Sequence, residues 1–214
     1  MVRTKDPAVR SMLIERAARM LAAREAVTIR SLVSGTSVST MALYTYFGGL
    51  PGLWSAVRQE GFTRLAARIE EVHATEDPVH DLAALGAVYM NNALADPHLY
   101  RVMFDADFEL ADPAAADATL HHLVVAVERA RDTGRFRSDI DPLTLATQTW
   151  LIGHGAASLV THGPLPAETI ELTLPVLVAL FAAAGDDTAR CRRSVETGWR
   201  AQFPADAGSI EPRP

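Results

Sequence analysis

Apolar residues recur along this chain every three to four positions, the period of an α-helix and not of a strand. From Pro7 to about Arg24, the side chains of Val9, Leu13, Ala17, Met20 and Leu21 share one face. A second stripe, Leu53, Trp54, Val57, Phe62, Leu65 and Ile69, predicts a long helix from about Pro51 to His73. Further helices are predicted at about 78–95, 97–104, 113–132, 142–161 and 166–184, with an amphipathic one from Asp187 to Gln202. Asp-Pro occurs five times, at Asp6-Pro7, Asp77-Pro78, Asp96-Pro97, Asp112-Pro113 and Asp141-Pro142, and each pair opens one of these segments. The carboxylate accepts from free N–H groups of the first turn, and proline there loses no hydrogen bond. Gly134 ends the 113–132 segment. Pro175 lies inside 166–184, where proline removes a backbone bond, so a bend or a later start is expected. No alternating runs flank Asn-Gly or Asp-Gly, so the hairpin signal is absent and the expected fold is all-α.

Two shorter helices lie between the first and the long one. Thr28 is placed to cap a helix running to about Ser34, and Ser39 to cap another ending near Phe47, with Gly48-Gly49 closing it by tolerating positive φ. On the second of these, Val38, Leu43 and Phe47 are spaced to meet a small core, while Thr40, Met41, Tyr44 and Thr45 fall on the opposite side. A face of that composition needs a partner. Two short helices joined by a tight turn form a helix-turn-helix, whose second helix enters the major groove of DNA.

Composition narrows the choice. With 214 residues, 49% of them hydrophobic, the chain has ample material for a core, and only residues 204–214, rich in Pro, Gly, Ala and acid, suggest a frayed tail. The net charge of −6 argues against nucleic-acid binding, but residues 1–60 carry eight basic side chains against four acidic ones. A basic head on an acidic body suits a protein of which only the head approaches phosphate. The single cysteine, Cys191, excludes an intrachain disulfide; beside Arg190, Arg192 and Arg193 it is either a redox-sensing thiol or an ordinary helix-surface residue. No leader is evident, and the apolar run from Leu172 to Ala184 is shorter than a membrane span and holds Pro175, so a soluble, cytoplasmic protein without a membrane partner is expected.

Catalytic signatures are missing. Neither Gly-x-Ser-x-Gly nor His-Glu-x-x-His occurs. Gly153-His154-Gly155 lies inside a predicted helix and follows no strand, which argues against a nucleotide loop. His121 and His122 are adjacent, hence about 100° apart on a helix, and Asp105, Asp107 and Glu109 read as a solvated loop. The expectation is no enzyme, no catalytic residue, no metal and no cofactor.

The segment Thr28–Leu53, with Val38, Ser39, Leu43, Tyr44, Tyr46 and Phe47 in a Val-Ser-x-x-x-Leu-Tyr-x-[His/Tyr]-Phe pattern, resembles the DNA-binding domain of the tetracycline-repressor (TetR) family. Trp150, His154 and Gly155, together with the stretches Tyr89–Asp105 and Ala130–Pro142, resemble the C-terminal domain of that family's WHG branch. The resemblance implies that Thr40, Met41, Tyr44 and Thr45 face base edges of double-stranded operator DNA while Thr28, Ser39 and Tyr46 hold phosphate. Arg3 and Lys5 are either flexible phosphate or minor-groove contacts or a solvated tail. Three positions depart from the pattern. Ser37 replaces the turn glycine, Leu50 the lysine that follows the reading helix, and Pro51 comes next, so modest affinity with a shallow salt dependence is expected. In the body, Tyr89, Met103, Phe104, Phe108, Val124, Trp150 and His154 are expected to line a pocket for a small, largely apolar effector, mostly on the strength of the resemblance. The small residues Gly153, Gly155, Ala156, Ala157 and Ser158 leave one helix slim enough for close approach, and the last two long helices are implied to pair in a homodimer. The implied layout is a helix-turn-helix domain at 1–50, a helical effector and dimerisation domain at 51–203 and the tail at 204–214. The implied function is a ligand-responsive repressor that binds a palindromic operator as a dimer and is released by its effector. The competing reading is a helical small-molecule-binding protein or enzyme with a degenerate head.

Overall fold

The computed structural model of the chain describes residues 6–202; Arg3, Lys5 and the predicted tail at 204–214 lie outside them. Among the described residues there are ten α-helices and one 3₁₀ helix, and no strand. They form two compact units. The first comprises residues up to Arg64 together with Asp96–Ala115, and the second comprises Leu65–Ala95 and the chain from Ala116 onward. The first unit thus takes in residues 51–64 and the segment 96–115 besides the 1–50 head expected from sequence.

The first unit is built from α1 (Pro7–Ala22), α2 (Ile29–Val33), α3 (Thr40–Phe47), the greater part of α4 (Leu50–Glu70) and α6 (Pro97–Met103). Its core comprises Leu13, Ile14 and Ala17 of α1, Leu32 of α2, Leu43 of α3 and Leu53 and Val57 of α4. Polar groups tie the short helices where apolar area is scarce. The Arg16 guanidinium donates to the carbonyls of Ser31 (3.1 Å) and Ser34 (2.6 Å) at the C-terminal end of α2, which is the negative end of that helix. Arg58 does the same for α6, donating to the carbonyls of Met103 (2.8 Å) and Phe108. Around it Phe62 and Tyr100 pack on Phe104, and Trp54 on Phe108.

The second unit holds the last turns of α4, α5 (Pro78–Ala95), α7 (Ala114–Asp132, from Ala116 on), α8 (Pro142–Thr161), the 3₁₀ helix Ala167–Leu172, α9 (Thr173–Ala183) and α10 (Thr188–Gln202). Helix α5 is buried nearly all round, as a central helix must be, with α10 and α8 packed on it and α9 against both of those. Cys191 is buried on α10, its thiol 3.8 Å from the Val178 carbonyl, and burial with the nearby Asp186 charge pushes the thiol up to about 12. Neither the redox-sensing nor the helix-surface reading of this residue survives. All five Asp-Pro pairs open helices as expected, with carboxylate oxygens 2.8–3.0 Å from first-turn N–H groups of Ala8, Val79, Leu99, Ala114 and Thr144. Pro175 is accommodated by a later start: the 3₁₀ helix precedes α9, and the proline falls in the first turn of α9, where no intrahelical donor is lost.

Candidate functional site

In the first unit, Thr28 caps α2 through a reciprocal capping box with Ser31: its hydroxyl accepts from the Ser31 N–H at 3.1 Å while the Ser31 hydroxyl accepts from the Thr28 N–H at 2.8 Å. The turn that follows passes through Gly35 at φ 71°, and α3 then begins at Thr40. Ser39 occupies the N-cap position of α3, yet its side chain makes no capping bond; its backbone carbonyl accepts from Ala42 N–H at 3.0 Å instead. The expected hydroxyl cap is thus replaced by a backbone one, and the Ser39 side chain stays exposed. Leu43 is fully buried, which turns the opposite face of α3 outward. Met41 is 66% exposed and Tyr44 52%, with Thr40 and Thr45 exposed beside them. Val38 and Phe47, expected inward, are half-buried.

Two contacts at this face have no counterpart in the sequence pattern. The Tyr46 phenolic oxygen accepts from the Asp6 backbone N–H at 2.8 Å, so a residue implied to hold phosphate also ties α3 to the start of α1. Arg10 of α1 lies over the Phe47 ring, 5.6 Å from its centroid, a cation–π contact at the C-terminal end of α3. Gly48 closes α3 at φ 73°. Leu50, in place of the expected lysine, begins α4. Helix α3 itself carries no cationic side chain, and its outward surface is made of hydroxyls, a thioether and a phenol.

In the second unit, a cavity of about 30 Å³ is lined by Ile69, Leu85, Gly86, Tyr89, Thr119, Leu123, Thr149, Trp150 and Gly153. Of the seven residues expected to line a pocket, Tyr89 and Trp150 do. His154 lies beside them: its Nδ1 is 2.8 Å from the Tyr89 hydroxyl, and its ring lies 5.3 Å from the Trp150 ring. Burial holds the imidazole below its ordinary value, so it is neutral at physiological pH. Met103, Phe104 and Phe108 belong to the first unit, in the cluster around Arg58, and line no part of this cavity. Val124 is half-buried, and it is its neighbour Leu123 that lines the cavity, since one residue turns a helix by about 100°. Ile69, Leu85, Gly86, Thr119, Thr149 and Gly153 were missed as ligand-lining residues. Helical spacing could have found Thr119, which is four residues before Leu123 on one face of α7.

A second, open groove of about 450 Å³ is lined by Arg68, Glu71, Val72, Val88, Asn91, Ala95 and Gln202. Its mixed charges and openness suit solvent better than an apolar ligand. Among the described residues no group of three or more His, Cys, Asp or Glu side chains is arranged to hold a metal, and no helix is long and apolar enough to cross a membrane.

Residues 82–193, just over half of the chain and including much of the cavity wall, match the family model described as the tetracyclin repressor-like, C-terminal domain. This chain belongs to the TetR family. Members of that family are transcriptional regulators, not enzymes, and the all-helical fold with its N-terminal helix-turn-helix agrees with theirs. Several solved structures share this TetR fold. A protein of unknown function from Rhodococcus sp. RHA1 superimposes with a TM-score of 0.71 at 24% identity, over 83% of this chain and 96% of that one. RolR in complex with resorcinol gives a TM-score of 0.61 at 20% identity, covering 88% of this chain and 93% of that one. FadR from Bacillus subtilis in complex with stearoyl-CoA gives 0.64 at 14% identity, covering 80% and 97%. At these identities the agreement is one of fold. Comparison with curated proteins finds no match.

Proposed function

We propose that this TetR-family regulator is a cytoplasmic repressor that places the outward face of α3 in the major groove of a palindromic operator, as a homodimer, and releases it when a small, largely apolar effector enters the second unit. The observation that carries the DNA-binding part is the burial of Leu43, which leaves Thr40, Met41, Tyr44 and Thr45 exposed together on the opposite face of α3. Hydroxyls donate and accept at base edges, and Met41 and the Tyr44 ring suit thymine methyls. The hydroxyl of Ser39, uncommitted to capping, is available to phosphate, whereas Thr28 reaches phosphate only while keeping its capping box.

The effector part rests on the cavity between α4, α5, α7 and α8. Two relatives of this fold, RolR and FadR, have been solved with small ligands bound. Helix α4 links the two functions along the chain: Ile69 near its C-terminus lines the cavity, and its first turn follows directly from the reading helix. A ligand that displaces Ile69 therefore acts on the helix that holds α3, which is the two-state element such coupling requires.

Electrophoretic shift with DNA flanking the gene tests this reading. Specific retardation of a palindromic fragment by the native chain is expected, with loss of about tenfold or more in affinity for Tyr44→Ala and unchanged thermal stability. Equal binding of scrambled DNA, or binding indifferent to Tyr44, would refute it.

A further inference from the structure

Resting on the effector-cavity reading, we infer that the ligand of this cavity is an uncharged molecule with an apolar body and one hydroxyl or carbonyl oxygen, and that Thr119 Oγ1 is the group that recognises that oxygen. Thr119, on α7, is 8% exposed, and its hydroxyl oxygen is buried with no hydrogen-bond partner among the described residues. A threonine inside a helix ordinarily disposes of its hydroxyl by donating to the carbonyl four residues earlier. Thr45, Thr63, Thr149 and Thr161 all do so, to Met41, Gln59, Leu145 and Ala157 at 2.7–3.0 Å. Thr119 does not, and it lines the cavity. A buried hydroxyl without a partner is costly, and a ligand oxygen removes that cost on arrival.

The rest of the wall sets the ligand's charge and size. No Lys, Arg, Asp or Glu lines the cavity, so nothing there balances an ionised carboxylate or phosphate, whose desolvation would go uncompensated. His154, beside the cavity, is held neutral by burial and engaged with Tyr89. At about 30 Å³ the cavity is small, which favours a small ligand. Gly153 is where space is most easily removed: a Cβ built there meets nothing within 4 Å.

The inference is tested by calorimetric titration of the full chain with p-cresol, p-xylene, 4-methylbenzoate, 1-heptanol and heptanoate, using the native protein, Thr119→Val and Gly153→Met. Valine keeps the volume of threonine and removes only the hydroxyl. The expected result is that native protein binds p-cresol or 1-heptanol at least tenfold more tightly than p-xylene or either carboxylate. In Thr119→Val the advantage of p-cresol over p-xylene disappears while p-xylene binding is kept, and Gly153→Met weakens every ligand. A carboxylate that binds as well as its neutral counterpart, or a p-cresol preference that survives Thr119→Val, overturns this inference and leaves the effector cavity standing. If no compound binds, or if binding is untouched by Gly153→Met, the cavity reading falls and takes this inference with it.

Discussion

Arg135 sits in the turn after α7, 7% exposed, and spends its guanidinium on two acids from distant parts of the second unit. It donates to both oxygens of Asp186 at 2.8 and 2.6 Å and to Asp77 at 2.6 Å, while the Ser194 hydroxyl donates to the other oxygen of Asp77 at 2.6 Å. One side chain thereby joins the start of α5, the turn before α10 and α10 itself. Burial alone would raise the carboxyls of Asp77 and Asp186, but the hydrogen bonds and positive charge of this network outweigh it and hold both below the usual carboxylate range. A depressed folded-state value means stability that is present above the unfolded value of 3.8 and lost as pH falls through the folded one. Chemical denaturation across pH should therefore show a plateau at neutral pH and a decline that begins near pH 4. Arg135→Met takes the cation from Asp77 and leaves Asp186 with Arg190 alone, and should cost about 3–5 kcal/mol, lowering the melting temperature by roughly 10 °C. A melting curve unchanged by that substitution, or an acid decline of the same size in it as in the native chain, would show that the network is not what holds these elements.

Between elements, two glycines mark where helices approach more closely than a side chain allows. A Cβ at Gly52, in the first turn of α4, would lie 1.8 Å from the Phe47 carbonyl oxygen at the end of α3. A Cβ at Gly198 of α10 would lie 2.1 Å from the His80 carbonyl of α5. Both obstacles are backbone, which cannot swing aside as a side chain can. Gly52→Ala is expected to shift α3 against α4 and abolish operator binding with little effect on ligand titration, since the cavity lies in the other unit. Gly198→Ala is expected to do the reverse, lowering stability and ligand affinity while leaving a correctly built reading head. Mobility shift and calorimetry on the two variants distinguish these outcomes, and a Gly52→Ala protein with native DNA affinity would show that the close packing of α3 on α4 has no part in recognition. Helix positions were readily legible at this scale, since caps and prolines act within a few residues. The 3₁₀ turn before α9 was foreseen only as a choice between a bend and a later start, because propensity penalises Pro175 without saying which remedy the neighbouring helices permit.

For the molecule as a whole, the outer face of α8 and α9 remains to be covered. Leu143, Leu151 and Leu159 are exposed along α8, and Leu172, at the end of the 3₁₀ helix just before α9, is 65% exposed with Val176 of α9 one turn later. Large apolar side chains exposed on two neighbouring helices suit burial against a second copy. Leu151→Arg combined with Leu172→Glu is predicted to give a monomer by sedimentation and to weaken binding of a two-half-site operator far more than of a half-site. A dimer that persists would place the interface elsewhere. The absence of Lys and Arg from α3 also bears on the whole complex: with few phosphates neutralised, the logarithm of affinity should fall with salt more gently than the slope of about −5 to −9 typical of six to ten contacts. Mobility shifts at several salt concentrations measure it, and a slope in that steep range would refute the neutral reading face.

Local chemistry alone determined the helices of this protein, their starts at Asp-Pro, the outward face of α3 over Leu43 and the family to which the chain belongs. Those features depend on residues within one or two turns of each other, where spacing and capping dominate. Only the tertiary structure decided that Met103, Phe104 and Phe108 serve the first unit and not the cavity, that Cys191 is buried, and that Arg135 joins Asp77 to Asp186. Aromatic character marks a residue for burial but does not say against which neighbour, and an Arg–Asp pair separated by about fifty residues has no period. Thr119 shows the limit most clearly: its place on the inner stripe of α7 was available from the spacing, but a hydroxyl left without a partner is a fact about every atom around it.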